Sequence, residues 1–270
     1  VTEDVSKSLF NLAFEDAKTH ARQQFPKESC GLIVAGNYIA CENVAAPVEE
    51  HKEGDDNCGC QLCSFQIDPQ VYLKHADKID FVVHSHPNGP LYPSRADMEG
   101  QLQTGVPWAI IALDEDRVGD PLMWGDSLPI APLVGRPFMH GVHDCYSLIR
   151  DCYRLGKDEL AKQDIPDWPY EPILLPTGVR DDGWWEKGED LYDRNFPLAG
   201  FIEIPETEVR PGDVFLMKIR SEQFNHGGLL ISNDLILHHL PLRLSRREPA
   251  GLWGRQAGRW LRYVGPLNVT

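Results

Sequence analysis

Two histidines one residue apart, His84 and His86, follow the run Ile79-Asp80-Phe81-Val82-Val83. Side chains two apart point the same way only on an extended chain, so the pair calls for a buried strand whose end delivers both imidazoles to one place. Asp97 lies eleven residues past His86, Ser94 stands three residues before Asp97, and Glu28 is far upstream. Two neutral imidazoles and a carboxylate are the three protein ligands a catalytic zinc takes while keeping one position open. Glu28 is then left as a general base. Ser94-x-x-Asp97 after Pro93 also has the form of a helix start, with Ser94 as N-cap and Asp97 in the first turn. Capping and metal ligation are compatible.

Length and charge narrow the function classes. A chain of 270 residues with 42% hydrophobic content suffices for two domains, each with its own core. The net charge of −15 is uneven: residues 1–128 carry 9 basic against 21 acidic side chains, and the remainder 17 against 20. That balance argues against nucleic-acid binding. No stretch approaches the roughly 20 apolar residues of a membrane span, and the N-terminus lacks the apolar core of a secretory signal. A soluble, cytoplasmically made protein without membrane insertion is expected. Seven cysteines, an odd number, fit reduced thiols better than a disulfide framework.

Residues 4–25 read as an amphipathic helix, with Leu9, Ala13, Ala17 and Ala21 on one stripe beside Phe10 and Phe14. Strands are expected at Gly31 to Ala35 and Tyr38 to Cys41, joined at Gly36-Asn37, then at Asp80 to His84, Trp108 to Leu113 and Leu122 to Trp124. These elements make an α/β domain over 1–128. The stretch 125–137, with Pro129, Pro132, Pro137, Gly125 and Gly135, suits a linker, and the boundary falls near 130.

The second domain, 129–270, opens on Asp144-Cys145 ahead of the helical pattern Tyr146 to Tyr153, which is expected to end near Gly156. Cys145 thus sits at a helix N-terminus with Asp144 as cap, a position that favours the thiolate. Strands follow Pro211-Gly212-Asp213, begin at Asn225-His226 and end at Leu237-His238-His239. A helix-borne cysteine and strand-borne histidines obey the logic of a cysteine–histidine hydrolase.

The set Glu28, His84-x-His86, Ser94-x-x-Asp97 resembles the JAMM metalloprotease motif. That resemblance implies an α/β, cytidine-deaminase-like domain in which His84, His86 and Asp97 hold Zn, Glu28 takes a proton from water and Ser94 stabilises the tetrahedral intermediate. The second half is similar to the NlpC-type cysteine peptidases of α+β papain-like fold, through Asp144-Cys145, Pro211-Gly212-Asp213, His226-Gly227-Gly228 and Leu237-His238-His239. By that resemblance Cys145 is the nucleophile, His226 its base and His238 the orienting residue, with His239 less suited because strand neighbours face opposite ways. Phe138 stands where many relatives carry a tyrosine near the active site, and Gly227 replaces the commoner valine. The implied substrate is a peptidoglycan stem peptide, at the bond between D-glutamate and diaminopimelate.

The two domains in this order, with Val134-Gly135-Arg136-Pro137-Phe138 and Gly141-x-x-Asp144-Cys145 between them, resemble the tail tip assembly proteins of lambda-type long-tailed bacteriophages. The implied partners are other tail tip proteins. The implied locations are the infected cell's cytoplasm during assembly and the virion tail tip at the host periplasm or wall. A catalytically silent structural component and a papain-like acyltransferase or amidase are the alternatives. Cys58-x-Cys60-x-x-Cys63 with His51 has ligand-like spacing but only one Cys-x-x-Cys half, so a loosely ordered acidic insertion is the alternative to a structural zinc clip. Cys30, Cys41 and Cys152 are expected as buried apolar thiols, and His140 and His143 as surface residues.

Overall fold

The computed structural model describes residues 2–50 and 59–266. The chain divides into two compact units, Val1–Pro129 and Ile130–Thr270.

In the first unit, helix α1 (Thr2–Gln24) covers one face of a sheet of order β2-β1-β3-β4-β5. Its strands are β1 (Cys30–Val34), β2 (Asn37–Cys41), β3 (Ile79–Pro87), β4 (Trp108–Leu113) and β5 (Leu122–Trp124), with α2 (Pro69–His75) before β3 and α3 (Arg95–Thr104) after it. Only β3 and β4 run parallel, with α3 in the crossover between them. The stripe Ala13, Phe14, Ala17 and Ala21 is buried against Ile33, Phe81, Val83 and Ile111. Phe81 takes Phe10 and Phe14 edge-on, at centroid distances of 5.7 and 5.4 Å. Each such buried side chain contributes about 1.5–3 kcal/mol. The β1–β2 turn lies one residue earlier than the sequence pattern suggests: Ala35 and Gly36 both have positive φ, as a two-residue hairpin whose twist matches its strands requires. Asp80 Oδ2 accepts the Gly36 N–H at 2.8 Å and holds that turn to β3.

In the second unit, α4 (Cys145–Ala161) and α5 (Leu191–Leu198) accompany an antiparallel sheet of order β10-β9-β8-β7-β11-β6. The strands are β6 (Phe201–Ile204), β7 (Val214–Met217), β8 (His226–Leu230), β9 (Leu235–His238), β10 (Arg246–Pro249) and β11 (Arg259–Tyr263), with the short α6 (Ala250–Trp253) between the last two. Leu148, Ile149, Cys152 and Tyr153 form the buried stripe of α4 and share a core with Leu216, Leu229, Leu237 and Leu261. The alternate sheet residues Phe215, Met217, Leu230 and Ile236 join Trp260 in a second core. The helical stretch that starts at Cys145 breaks at Gly156, as the sequence pattern expects: that residue takes a non-helical φ of 69° against Pro172, and a second helical stretch follows to Ala161. Residues 125–144 contain no regular helix or strand. No helix among the described residues is long and apolar enough to cross a membrane.

Candidate functional site

The β1–β3 register carries the upstream glutamate to the histidines. Cys30 pairs with His84, and the Ser85 N–H donates to the Ser29 carbonyl at 3.0 Å, so one further step brings Glu28 level with His86. The Ser85 hydroxyl fixes this end of the pair by accepting from the Ser29 N–H at 2.8 Å and contacting the Ser29 hydroxyl at 3.0 Å. From the other side, α3 brings Asp97 in its first turn. Ser94 and Asp97 form a full capping box, in which the Asp97 N–H donates to Ser94 Oγ and Asp97 Oδ2 accepts from the Ser94 N–H and hydroxyl. The helix-start reading of this segment and its place in a polar cluster hold together.

The three donors converge. His84 Nε2 and His86 Nε2 are 3.0 Å apart, and Asp97 places Oδ1 3.2 Å from the first and Oδ2 3.4 Å from the second. The three side chains offer ligand atoms within 4.8 Å of one another, so together they could hold one metal ion. Two imidazole lone pairs facing each other at this distance also need a proton or a cation between them. The His86 Nδ1 position is fixed by the Pro90 carbonyl at 2.9 Å, which assigns the ring's other nitrogen to ligation. His84 is stacked on Phe65, with centroids 4.5 Å apart, and edged by Trp108 and Trp124. These three are the only His, Cys, Asp or Glu side chains among the described residues that gather this closely in a group of three or more.

Burial sets the electrostatics. It pushes the Glu28 carboxyl up to about 8, helped by Asp97 and opposed by His86. Burial also lowers His84. It works against the charged forms of Asp97 and His86 too, but His84 and then His86 hold the Asp97 carboxyl well below its usual range, and Asp97, with Glu28 and the Pro90 carbonyl, holds His86 above its own. Asn43 orders the loop before β1 by donating to the carbonyls of Glu28 and Ser64.

In the second unit, Asp144 caps α4, accepting from the Ser147 N–H at 2.9 Å and the Gly141 N–H at 2.8 Å. Its carboxylate is paired with the buried Arg180 guanidinium. His226 Nε2 lies 3.1 Å from His238 Nδ1, so these two are brought together, whereas His239 lies elsewhere, with Phe138 on its ring at 5.2 Å. Cys145 behaves differently from the thiolate expected at a helix start. Burial and the neighbouring Asp144 charge push its thiol up, against the Tyr192 hydroxyl, the Gly227 N–H and Arg180. Its sulfur is 3.1 Å from Tyr192 Oη, and no hydrogen bond joins it to His226 among the described residues. Gly227 faces Ile149 of α4, while Gly228 faces Phe215 and His238, so His226, in phase with Gly228 and against Phe215, lies on the sheet face turned away from α4 and is not brought to the Cys145 sulfur. A valine at 227 would crowd Ile149 and Leu216, and glycine admits the sulfur to the Gly227 N–H.

Other expectations change. His140 is buried, within 3.3 Å of the Arg180 carbonyl and 3.7 Å of Asp182, and His143 is half-buried; neither is a surface residue. His140 owes this to the Arg180 segment, which lies 40 residues away and which local sequence cannot show. Cys30, Cys41 and Cys152 are buried free thiols. His51 and Cys58 lie outside the described residues; the sulfurs of Cys60 and Cys63 are 3.6 Å apart, and Cys60 is held by a bridge to Ala46. Tyr192, Arg180 and Glu248 escape sequence reading, because each reaches its site through tertiary contacts that no local spacing announces.

Residues 13–120 match the family described as prokaryotic homologs of the JAB domain, and this N-terminal region has the JAB/JAMM-like α/β fold. The chain is 28% identical over 251 residues to tail tip assembly protein K of Escherichia phage N15, covering 90% of this chain and 91% of that protein. It is 32% identical over 199 residues to tail tip assembly protein K of Escherichia phage lambda, covering 69% of this chain and 87% of that protein. The chain belongs to the family of phage tail tip assembly protein K.

Proposed function

We propose that this is a tail tip assembly protein whose first unit is a metal-dependent hydrolase of amide or isopeptide bonds. The observation that carries the reading is the triangle of His84 Nε2, His86 Nε2 and Asp97 oxygens at 3.0–3.4 Å with buried Glu28 beside it. His84, His86 and Asp97 would hold the ion; zinc there supplies Lewis acidity and brings the pKa of water to about 7. Glu28, whose ionised form the charge of an ion held there would favour, takes the proton of the attacking water and returns it to the departing amine. Ser94 offers its hydroxyl to the oxygen on which negative charge develops. Phe65 and Trp108 keep His84 in a fixed orientation by ring contact.

A second reading concerns the other unit, and the 3.1 Å contact of His226 with His238 favours it. Cys145 would be the nucleophile of a cysteine peptidase, His226 its base and His238 the orienting residue, cutting peptidoglycan stem peptides. The sulfur must first leave Tyr192, which makes substrate entry a precondition for activation. Host cytoplasm during assembly and the tail tip at the host wall are the proposed locations, and other tail tip proteins the proposed partners.

Metal analysis with hydrolysis assays on wild type, His84→Ala and Cys145→Ala tests both readings. His84→Ala should lose bound zinc and the chelator-sensitive, zinc-restored activity, while Cys145→Ala should lose wall-peptide release only. A wild-type protein that binds no zinc overturns the first reading, and peptide release surviving in Cys145→Ala overturns the second.

A further inference from the structure

The second unit holds a line of polar groups that continues past the histidine pair. His238 Nδ1 meets His226 Nε2 at 3.1 Å, and on its other side His238 Nε2 lies 3.5 Å from Glu248 Oε2 on β10. Register places Arg246 opposite His238, and the Arg246 guanidinium pairs with the remaining oxygen of Glu248. Trp253 closes over His238 with its ring centroid 4.4 Å away, and both histidines are buried.

We infer that Glu248 is a positioning residue that fixes the proton on every nitrogen of this line. An ionised carboxylate can only accept, so His238 Nε2 must carry hydrogen. A neutral His238 then presents Nδ1 as acceptor, which requires His226 Nε2 to donate. A neutral His226 is left with a bare Nδ1, the one ring nitrogen of the line that neither carries a hydrogen nor accepts one from its neighbour. Burial holds both rings neutral, pushing His226 down to about 3 and His238 to about 4, with Glu248 opposing and Arg246 and Arg243 reinforcing the shift at His238. The chain of donors therefore runs in one direction, from His226 to His238 to Glu248. Its use in catalysis rests on the cysteine-peptidase reading above; the proton placement itself does not.

Glu248→Gln reverses the direction. Arg246 retains the amide oxygen, the amide NH2 turns to His238 Nε2 and makes that nitrogen an acceptor, and both rings are forced into the Nδ1–H form. Long-range 1H–15N correlation on the full chain labelled with 15N-histidine reads this directly. Wild type should show Nε2–H on both His226 and His238, and Glu248→Gln should show Nδ1–H on both. A wild-type His238 carrying its hydrogen on Nδ1 overturns the assignment whatever the variant does, as does a folded Glu248→Gln with unchanged tautomers. In stem-peptide hydrolysis, Glu248→Gln should lower kcat at least tenfold with little change in KM. Correct tautomers with no hydrolysis by wild type would sink the peptidase reading and leave the proton line standing.

Discussion

At the scale of single residues, the Cys145 sulfur has an unexpected keeper. Tyr192 offers a hydroxyl at 3.1 Å, whereas Phe138, where many relatives carry a tyrosine, meets the His239 ring edge-on. A donor on sulfur stabilises the thiolate, so Tyr192→Phe should move the pH midpoint of Cys145 alkylation upward, with Cys145→Ala as the blank. An unchanged or lower midpoint would show that the hydroxyl is an acceptor or a bystander. Arg180 poses a sharper energetic case. It is buried with its charge on Asp144, and removing one partner strands the other. Asp144→Asn should therefore cost about 3–5 kcal/mol in urea unfolding, well above the cost of a lost cap alone. The short spacings of His84, His86, Ser94 and Asp97 made these residues legible in sequence, because one strand and one helix turn carry all four. Tyr192 and Arg180 were not legible, because they reach Cys145 and Asp144 from 47 and 36 residues downstream.

At the scale of elements, α3 is the part on which the proposed metal centre turns. It is a ten-residue helix, started by the Ser94–Asp97 box and ended by Gly105 in the left-handed region. Gly100 seats it on the sheet: a Cβ there would come within 2.5 Å of the Trp108 ring. Gly100→Ala should destabilise the first unit by about 1–3 kcal/mol through overpacking. It should also weaken zinc binding, since shifting α3 moves Asp97 against a strand that stays put. Ser94→Ala should cost about 1 kcal/mol in stability. Zinc titration calorimetry beside thermal melts separates the two outcomes: equal losses of stability without loss of zinc affinity would show that α3 does not position the ligand. Elements with strong periodicity, such as α1, β1, β4 and α4, were readable from sequence, whereas β6, β10 and α5 were not. Glu248 and Pro249 sit in a strand at the sheet edge, and Pro197 lies inside α5, where local preference disagrees with tertiary packing.

At the scale of the whole chain, two units with separate cores should answer to two different solution variables. The first unit has its ionisable groups gathered around a metal-type donor set, so a ligand that binds only the folded form raises its melting temperature and a chelator lowers it. The second unit is governed by histidines. His226 and His238 have folded values of about 3 and 4, below the ordinary value of 6.5, so the unfolded chain binds more protons between those limits. Stability from these groups is then fully present above about pH 6.5 and is lost as pH falls toward 3–4, a change of roughly 3–5 kcal/mol for each histidine taken alone. Calorimetry of the full chain should resolve two transitions: one that moves with zinc and chelator at constant pH, and one that falls between pH 7 and pH 4 at constant metal. His226→Gln should reduce the acid dependence of the second transition, leaving the part that His238 and the other histidines His140, His143 and His239 carry, with the zinc response of the first intact. A single transition responding to both variables, or an acid response unchanged by the substitution, would mean that His226 does not contribute to the stability of its unit.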